Sequence, residues 1–64
     1  MQTNLLKNWV VKEIHKGCIV EGEIFNDIKK RWKDGTRIHT SRVLKIDFVN
    51  GVVETLNSVY HLEV

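Results

Sequence analysis

In "CIVEGEIF", residues 18–25, Cys18, Val20, Gly22 and Ile24 fall on one side and Glu21 and Glu23 on the other. That period of two is the pattern of a half-buried β-strand. The preceding run "NWVVKEI" is also rich in β-branched residues, and "HKG" at 15–17 breaks the two, so the pair reads as the arms of a hairpin. Gly22 in the middle of the second arm predicts a bulge or a sharp bend, of the kind a small barrel needs at a corner.

The next segment, "NDIKKRWK" at 26–33, fits two descriptions. Either Asn26 or Asp27 caps one short helical turn with Ile28 and Trp32 facing inward, or the segment is an open loop. "KDGT" then predicts a two-residue hairpin, because Asp-Gly tolerates the positive φ angles of a type I′ turn. "TRIHTSRVLKIDFV" is the longest strand candidate, Asn50-Gly51 is a second hairpin signal, and "VVETLNSVYHLEV" returns along it. "TNLLKN" near the start adds a short helix or a strand cap. The expected fold is all-β: one domain over residues 1–64, built as a small antiparallel SH3-like barrel or a strongly bent four- to five-stranded sheet, with at most one short helical turn.

A two-residue turn at Asn50-Gly51 would set Val49 opposite Val52, Ile46 opposite Thr55 and Arg42 opposite Val59. The same register puts Asp47 against Glu54, which is unfavourable, and leaves apolar groups on both faces. A bulge partway along, or cover on both sides, would relieve this. Even with a one-pair slip, "HTSR" and "NSVY" become neighbours. Thr40, Ser41, Arg42, Asn57, Ser58 and Tyr60 would then form one polar cluster beside the turn at 31–37.

Composition narrows what this scaffold does. Sixty-four residues form a thin core, and a chain of this length buries only about 60% of the surface its unfolded form exposes. Homo-oligomerisation is a common remedy. With Cys18 as the only cysteine no intrachain disulfide forms, and a zinc site would need Cys18, His15, His39 and His61 to converge from poor spacings. No stretch has the pattern of a signal peptide or membrane span, so a cytoplasmic protein is expected. No cofactor motif occurs. The absence of a glycine-rich phosphate loop, of paired carboxylates and of a nucleophile elbow argues against an enzyme.

The net charge of +2 is mild, but its distribution is not. Lys29, Lys30, Arg31, Lys33, Arg37 and Arg42 crowd residues 29–42 against the single acid Asp34. Hydroxyls, an amide and guanidinium groups are suited to gripping phosphate or carboxylate oxygens. The candidate ligand-binding set is therefore Trp32, Arg37, His39, Thr40, Ser41, Arg42, Asn57, Ser58 and Tyr60, with Lys29, Lys30, Arg31 and Lys33 as a basic loop and Trp32 as a stacking surface. The plain structural alternative is that the hydroxyls satisfy backbone partners, Tyr60 and Trp32 fill the core, and the lysines are a solvated face.

"GEIFN", "RWKDGTRIHTSRV" and "VETLNSVYHL", spanning residues 22–62, resemble very short proteins encoded by phages and prophages. Those carry a DGT-x-I-x-TS-x-V segment, met here by Asp34, Gly35, Thr36, Ile38, Thr40, Ser41 and Val43. Their second segment is met by Thr55, Ser58, Tyr60 and Leu62. The family's loop before the Asp-Gly-Thr element is often shorter and less basic. The resemblance implies an accessory protein that blocks, mimics or sequesters a component of a bacterial host. Three partners then stand open: a small anionic, nucleotide-like ligand, a host protein, or nucleic acid.

Overall fold

The structure, a computed structural model, describes residues 3–63. It is all-β, with six strands: β1 (Leu5–Ile14), β2 (Gly17–Phe25), β3 (Thr36–His39), β4 (Val43–Asp47), β5 (Val52–Thr55) and β6 (Val59–Leu62). They form one sheet in the order β3-β2-β1-β6-β5-β4. Two antiparallel meanders, β1-β2-β3 and β4-β5-β6, are joined where β1 lies parallel to β6, with Leu5 opposite His61 and Leu6 opposite Leu62. The expected sheet was wholly antiparallel with four or five strands. The two longest strand candidates, at 36–49 and from 52 onward, are each broken in two, which gives six strands, and β1 pairs parallel with β6.

Leu6, Val20, Ile24, Ile38, Val53, Tyr60 and Leu62 are buried in one cluster, and Trp9, Trp32, Val43 and Ile46 pack against it. Since one sheet supplies nearly all of them, it must curve over its own inner face. β2 and β4, which are not neighbours in the sheet, touch as a result. The sheet bends strongly but does not close by hydrogen bonding.

The bend expected at Gly22 is present, but the extra residue lies on the facing strand. Between Lys7 and Val10 the register of β1 against β2 shifts, so Asn8 and Trp9 together oppose Gly22. Asn8 takes a positive φ of 51°, and a Cβ at Gly22 would lie 3.0 Å from Trp9 Cβ and 3.2 Å from the Lys7 carbonyl oxygen. Glycine is needed there because the bulge presses against it. Beyond the bulge the hairpin runs on as a two-stranded ribbon, turning at His15-Lys16 between Ile14 and Gly17, with Val10, Val11 and Ile14 exposed. "TNLLKN" is neither helix nor cap, since β1 begins within it at Leu5.

Residues 26–33 form no helix. Lys30 N–H donates to the Asp27 carbonyl, closing one turn, and Lys30 then adopts a φ of 53°, which a helix cannot continue. Ile28 is exposed and Trp32 half-buried. Asp34-Gly35 is a turn, closed by Thr36 N–H on the Lys33 carbonyl, but only Gly35 has a positive φ, so it is not type I′. It is the last part of the longer connection over residues 26–35 that leads β2 into β3, rather than a two-residue hairpin by itself.

The long strand expected from Thr36 to Val49 breaks at Thr40-Ser41-Arg42, where the chain turns a corner between β3 and β4. After it, Asp47 faces Val52 rather than Glu54, and Lys45 faces Glu54. A loop over residues 48–51 replaces the two-residue turn. Asp47 carboxylate oxygens accept hydrogen bonds from Val49 N–H (3.0 Å), Asn50 N–H (3.1 Å) and Asn50 Nδ2 (2.8 Å), and Gly51 closes the loop at a φ of 67°. A bulge between Val43 and Lys45, at Leu44, absorbs the remaining mismatch. This longer loop removes the Asp47–Glu54 clash and gives an opposite-charge pair, Lys45–Glu54, in its place.

Candidate functional site

The corner at 40–42 and the β5–β6 turn at 55–58 do meet, as the strand pattern suggested. Their hydroxyls, however, bind one another and the backbone. Thr40 is buried; its N–H donates to the Val20 carbonyl (2.8 Å), while its Oγ1 accepts from Val20 N–H (3.1 Å) and donates to the Ser41 carbonyl (2.8 Å). In this way Thr40 carries pairing with β2 past the end of β3 while the main chain turns away. Ser41 Oγ donates to Thr55 Oγ1 (3.0 Å), which donates to the Ser58 carbonyl (3.0 Å) and accepts from Ser58 N–H (3.2 Å). Small hydroxyl side chains closing turns in this manner are common. Ser58 Oγ is buried with no hydrogen-bond partner among the described residues.

The other members of the expected set are dispersed. Tyr60 is in the core. Asn57 is exposed, and its carbonyl accepts from Lys29 Nζ (3.2 Å). The Arg42 carbonyl accepts from Leu56 N–H, and the Arg42 side chain lies along Gly17. Arg37 approaches Glu21 (3.6 Å) and donates to the Asn8 carbonyl (3.3 Å), while His39 sits exposed on the strand opposite Glu21. Lys12, at 2.6 Å, and then Arg37 hold the Glu21 carboxyl below the usual carboxylate range. Arg37 and His39 thus belong to the sheet surface.

What the structure does assemble is the loop between β2 and β3. Asn4, buried and at a φ of 50°, fixes its base: Asn4 N–H donates to the Asn26 carbonyl and Asn4 Oδ1 accepts from Ile28 N–H, both at 2.9 Å. Asp34 Oδ1 accepts from Asn26 N–H (2.8 Å), and Gly35 N–H donates to the Ile24 carbonyl (2.7 Å). Within this frame Asp27, buried, binds Arg31 by three hydrogen bonds: Arg31 N–H (2.6 Å) and Nε (3.2 Å) to Oδ2, and NH2 (2.9 Å) to Oδ1. The hydrogen bond from the Arg31 guanidinium holds the Asp27 carboxyl below its ordinary range against the opposing effect of burial, and the same bond raises Arg31, with a smaller contribution from Tyr60.

So clamped, the Arg31 guanidinium lies over the Trp32 ring, 4.4 Å from its centroid, and Trp32 packs against the core. An open groove of about 510 Å³ runs along this stack, lined by Asn26, Asp27, Lys30, Arg31, Trp32, Lys33 and Asp34. Lys30 and Lys33 form no ion pair or hydrogen bond through their side chains among the described residues. The groove therefore has the matched Asp27–Arg31 pair and aromatic carbon along it, with the Lys30 and Lys33 side chains and the Asp34 carboxylate beside them.

Asp27, Asn26 and Asp34 were not in the expected set, nor was Asn4. The Asp27-to-Arg31 spacing of four is a legible ion-pair signal, here met without a helix. Asn4 carries no such mark, because its role depends on residues far along the chain.

No family model matches the chain, and no curated protein and no solved structure matches it.

Proposed function

We propose that the protein is a non-enzymatic binding module that takes up a phosphate-bearing, nucleotide-like anion along the 26–34 loop. Lys30 and Lys33 supply the charge that meets the phosphate, and the Arg31–Trp32 stack supplies a flat surface against which a base lies. The observation that carries this reading is a groove whose lining is net basic, with Lys30 and Lys33 in no ion pair among the described residues, Asp34 as the one acid not already matched, and Arg31 held by Asp27. Because the guanidinium covers one face of the indole, the base would stack on Arg31 rather than directly on Trp32. Together with the resemblance to phage-encoded accessory proteins, this gives a role in the bacterial cytoplasm: sequestering a host nucleotide signal and so evading a host defence.

The test is an amide-shift titration with a panel of nucleoside mono- and diphosphates and cyclic dinucleotides. Binding by at least one of them should move the amides of residues 26–34 and be weakened about tenfold or more by the double change Lys30→Ala and Lys33→Ala. Ser41→Ala should leave the affinity unchanged. No shift with any member at millimolar concentration, or shifts centred on residues 40–42 and 57–58, would overturn the proposal.

A further inference from the structure

The unclosed sheet has two outer edges, β3 and β4, and β1 beyond Leu6 has no strand on its β6 side. Unpaired edges are templates for strand addition. A second copy brought in by a two-fold axis pairs antiparallel, with residue i facing j and j facing i. Since facing residues share a face of the sheet, the axis must pass where one residue meets its own copy. This condition allows the edges to be compared residue by residue.

On β3, a register centred on Arg37 sets two guanidinium groups together, and one centred on Ile38 sets Arg37 against His39 with no acid to meet either. On the distal part of β1, centring on Lys12 opposes two lysines, centring on Glu13 opposes two glutamates, and centring on Val11 sets Lys12 against Val10 and Glu13 against Trp9, with no opposite charge to meet either. On β4, centring on Lys45 or Asp47 fails in the same way. Centring on Ile46 sets Lys45 opposite Asp47 of the second copy and Asp47 opposite its Lys45, giving two opposite-charge pairs.

We propose that the protein forms a two-fold dimer through β4, with Ile46 facing Ile46 of a second copy. The Leu44 bulge and the turn starting at Phe48 bound the regular stretch Lys45-Ile46-Asp47, so the paired segment is short and its register is fixed. Leu44 and Phe48, which are 55% and 60% exposed, flank the pairing, Phe48 with its ring also stacked on Trp9 of its own chain. The shallow groove of about 210 Å³ lined by Lys45, Asp47, Asn50, Val52 and Glu54 receives the incoming lysine. A lysine and a bulge on an edge strand ordinarily discourage pairing. Here they discourage pairing with any strand that lacks an acid at the matching position, and a second copy has one.

Sedimentation equilibrium from micromolar to millimolar concentration, with carbodiimide coupling on a mixture of light- and heavy-nitrogen protein, tests this. The expected result is a monomer–dimer equilibrium and an intermolecular Lys45–Asp47 cross-link. Lys45→Glu should weaken association about tenfold or more, and Lys45→Gln, which puts no like charge opposite Glu54 within the chain, should weaken it by less. Thermal melts of both variants report whether the fold is intact. A wild-type protein monomeric at millimolar concentration, intermolecular cross-links only at β1 or β3, or folded variants that associate like the wild type would overturn the proposal.

Discussion

At the scale of single residues, the loop depends on how Asp27 and Arg31 share charge. The folded chain holds the Asp27 carboxyl below its usual value of 3.8, so the unfolded chain takes up the proton more readily. The resulting stabilisation is fully present above about pH 4 and is lost as the pH falls through the lower, folded-state value. Asp27→Asn removes the charged acceptor for Arg31. Denaturant unfolding at neutral pH should show a loss of about 2 kcal/mol, the range for hydrogen bonds to charged groups. Below pH 4 the variant's stability should fall less steeply than that of the wild type. Parallel pH profiles would count against the assigned role of Asp27.

At the scale of elements, what could be read from the sequence was what is local. The β1–β2 hairpin follows from alternation and the break at 15–17, and Gly22 marked the bend although the bulge belongs to Asn8 and Trp9. The break at 40–42 could not be read, because Thr and Ser suit a strand equally well, and only the placement of Val20 and Thr55 turns them into corner residues. The two-residue spacing between Asp47 and Val49 hid a side-chain cap that lengthened the loop. The parallel β1–β6 seam had no local signal at all. In the candidate site, basic composition pointed to the loop at 29–33, whereas the hydroxyl cluster resembled a binding site only because its partners lay elsewhere in the chain. The ribbon beyond the bulge carries a consequence of its own. Past the Val20–Thr40 contact, over residues 11–19, its backbone pairs only within itself among the described residues, and a two-stranded ribbon is marginal in water. Hydrogen exchange should show protection at residues 11–19 at least about tenfold below that of residues 22–24, an opening free energy smaller by about 1.4 kcal/mol. Equal protection would mean that something covers the ribbon in solution.

At the scale of the whole molecule, one small core supports everything described above. A chain of this length has a total stability of about 3–10 kcal/mol. Leu6 is fully buried and belongs to the seam that joins the two meanders, facing Ile24 on one side and Leu62 on the other. Leu6→Ala should cost about 2–5 kcal/mol, a large share of that total, because neither neighbouring strand can move into the void without opening the seam. Each kcal/mol is worth about 4–8 °C in melting temperature for a domain of this size, so calorimetry should place the variant at least about 8 °C below the wild type. Association through β4 adds a second signature. A dimer that forms only from folded chains raises the melting temperature as protein concentration rises, and an equal number of degrees matters more to a destabilised chain. Leu6 lies three strands away from β4, so the variant should keep that concentration dependence while losing intrinsic stability. A melting temperature independent of concentration in both proteins would leave the thin core as the sole source of stability and would remove the need for a partner.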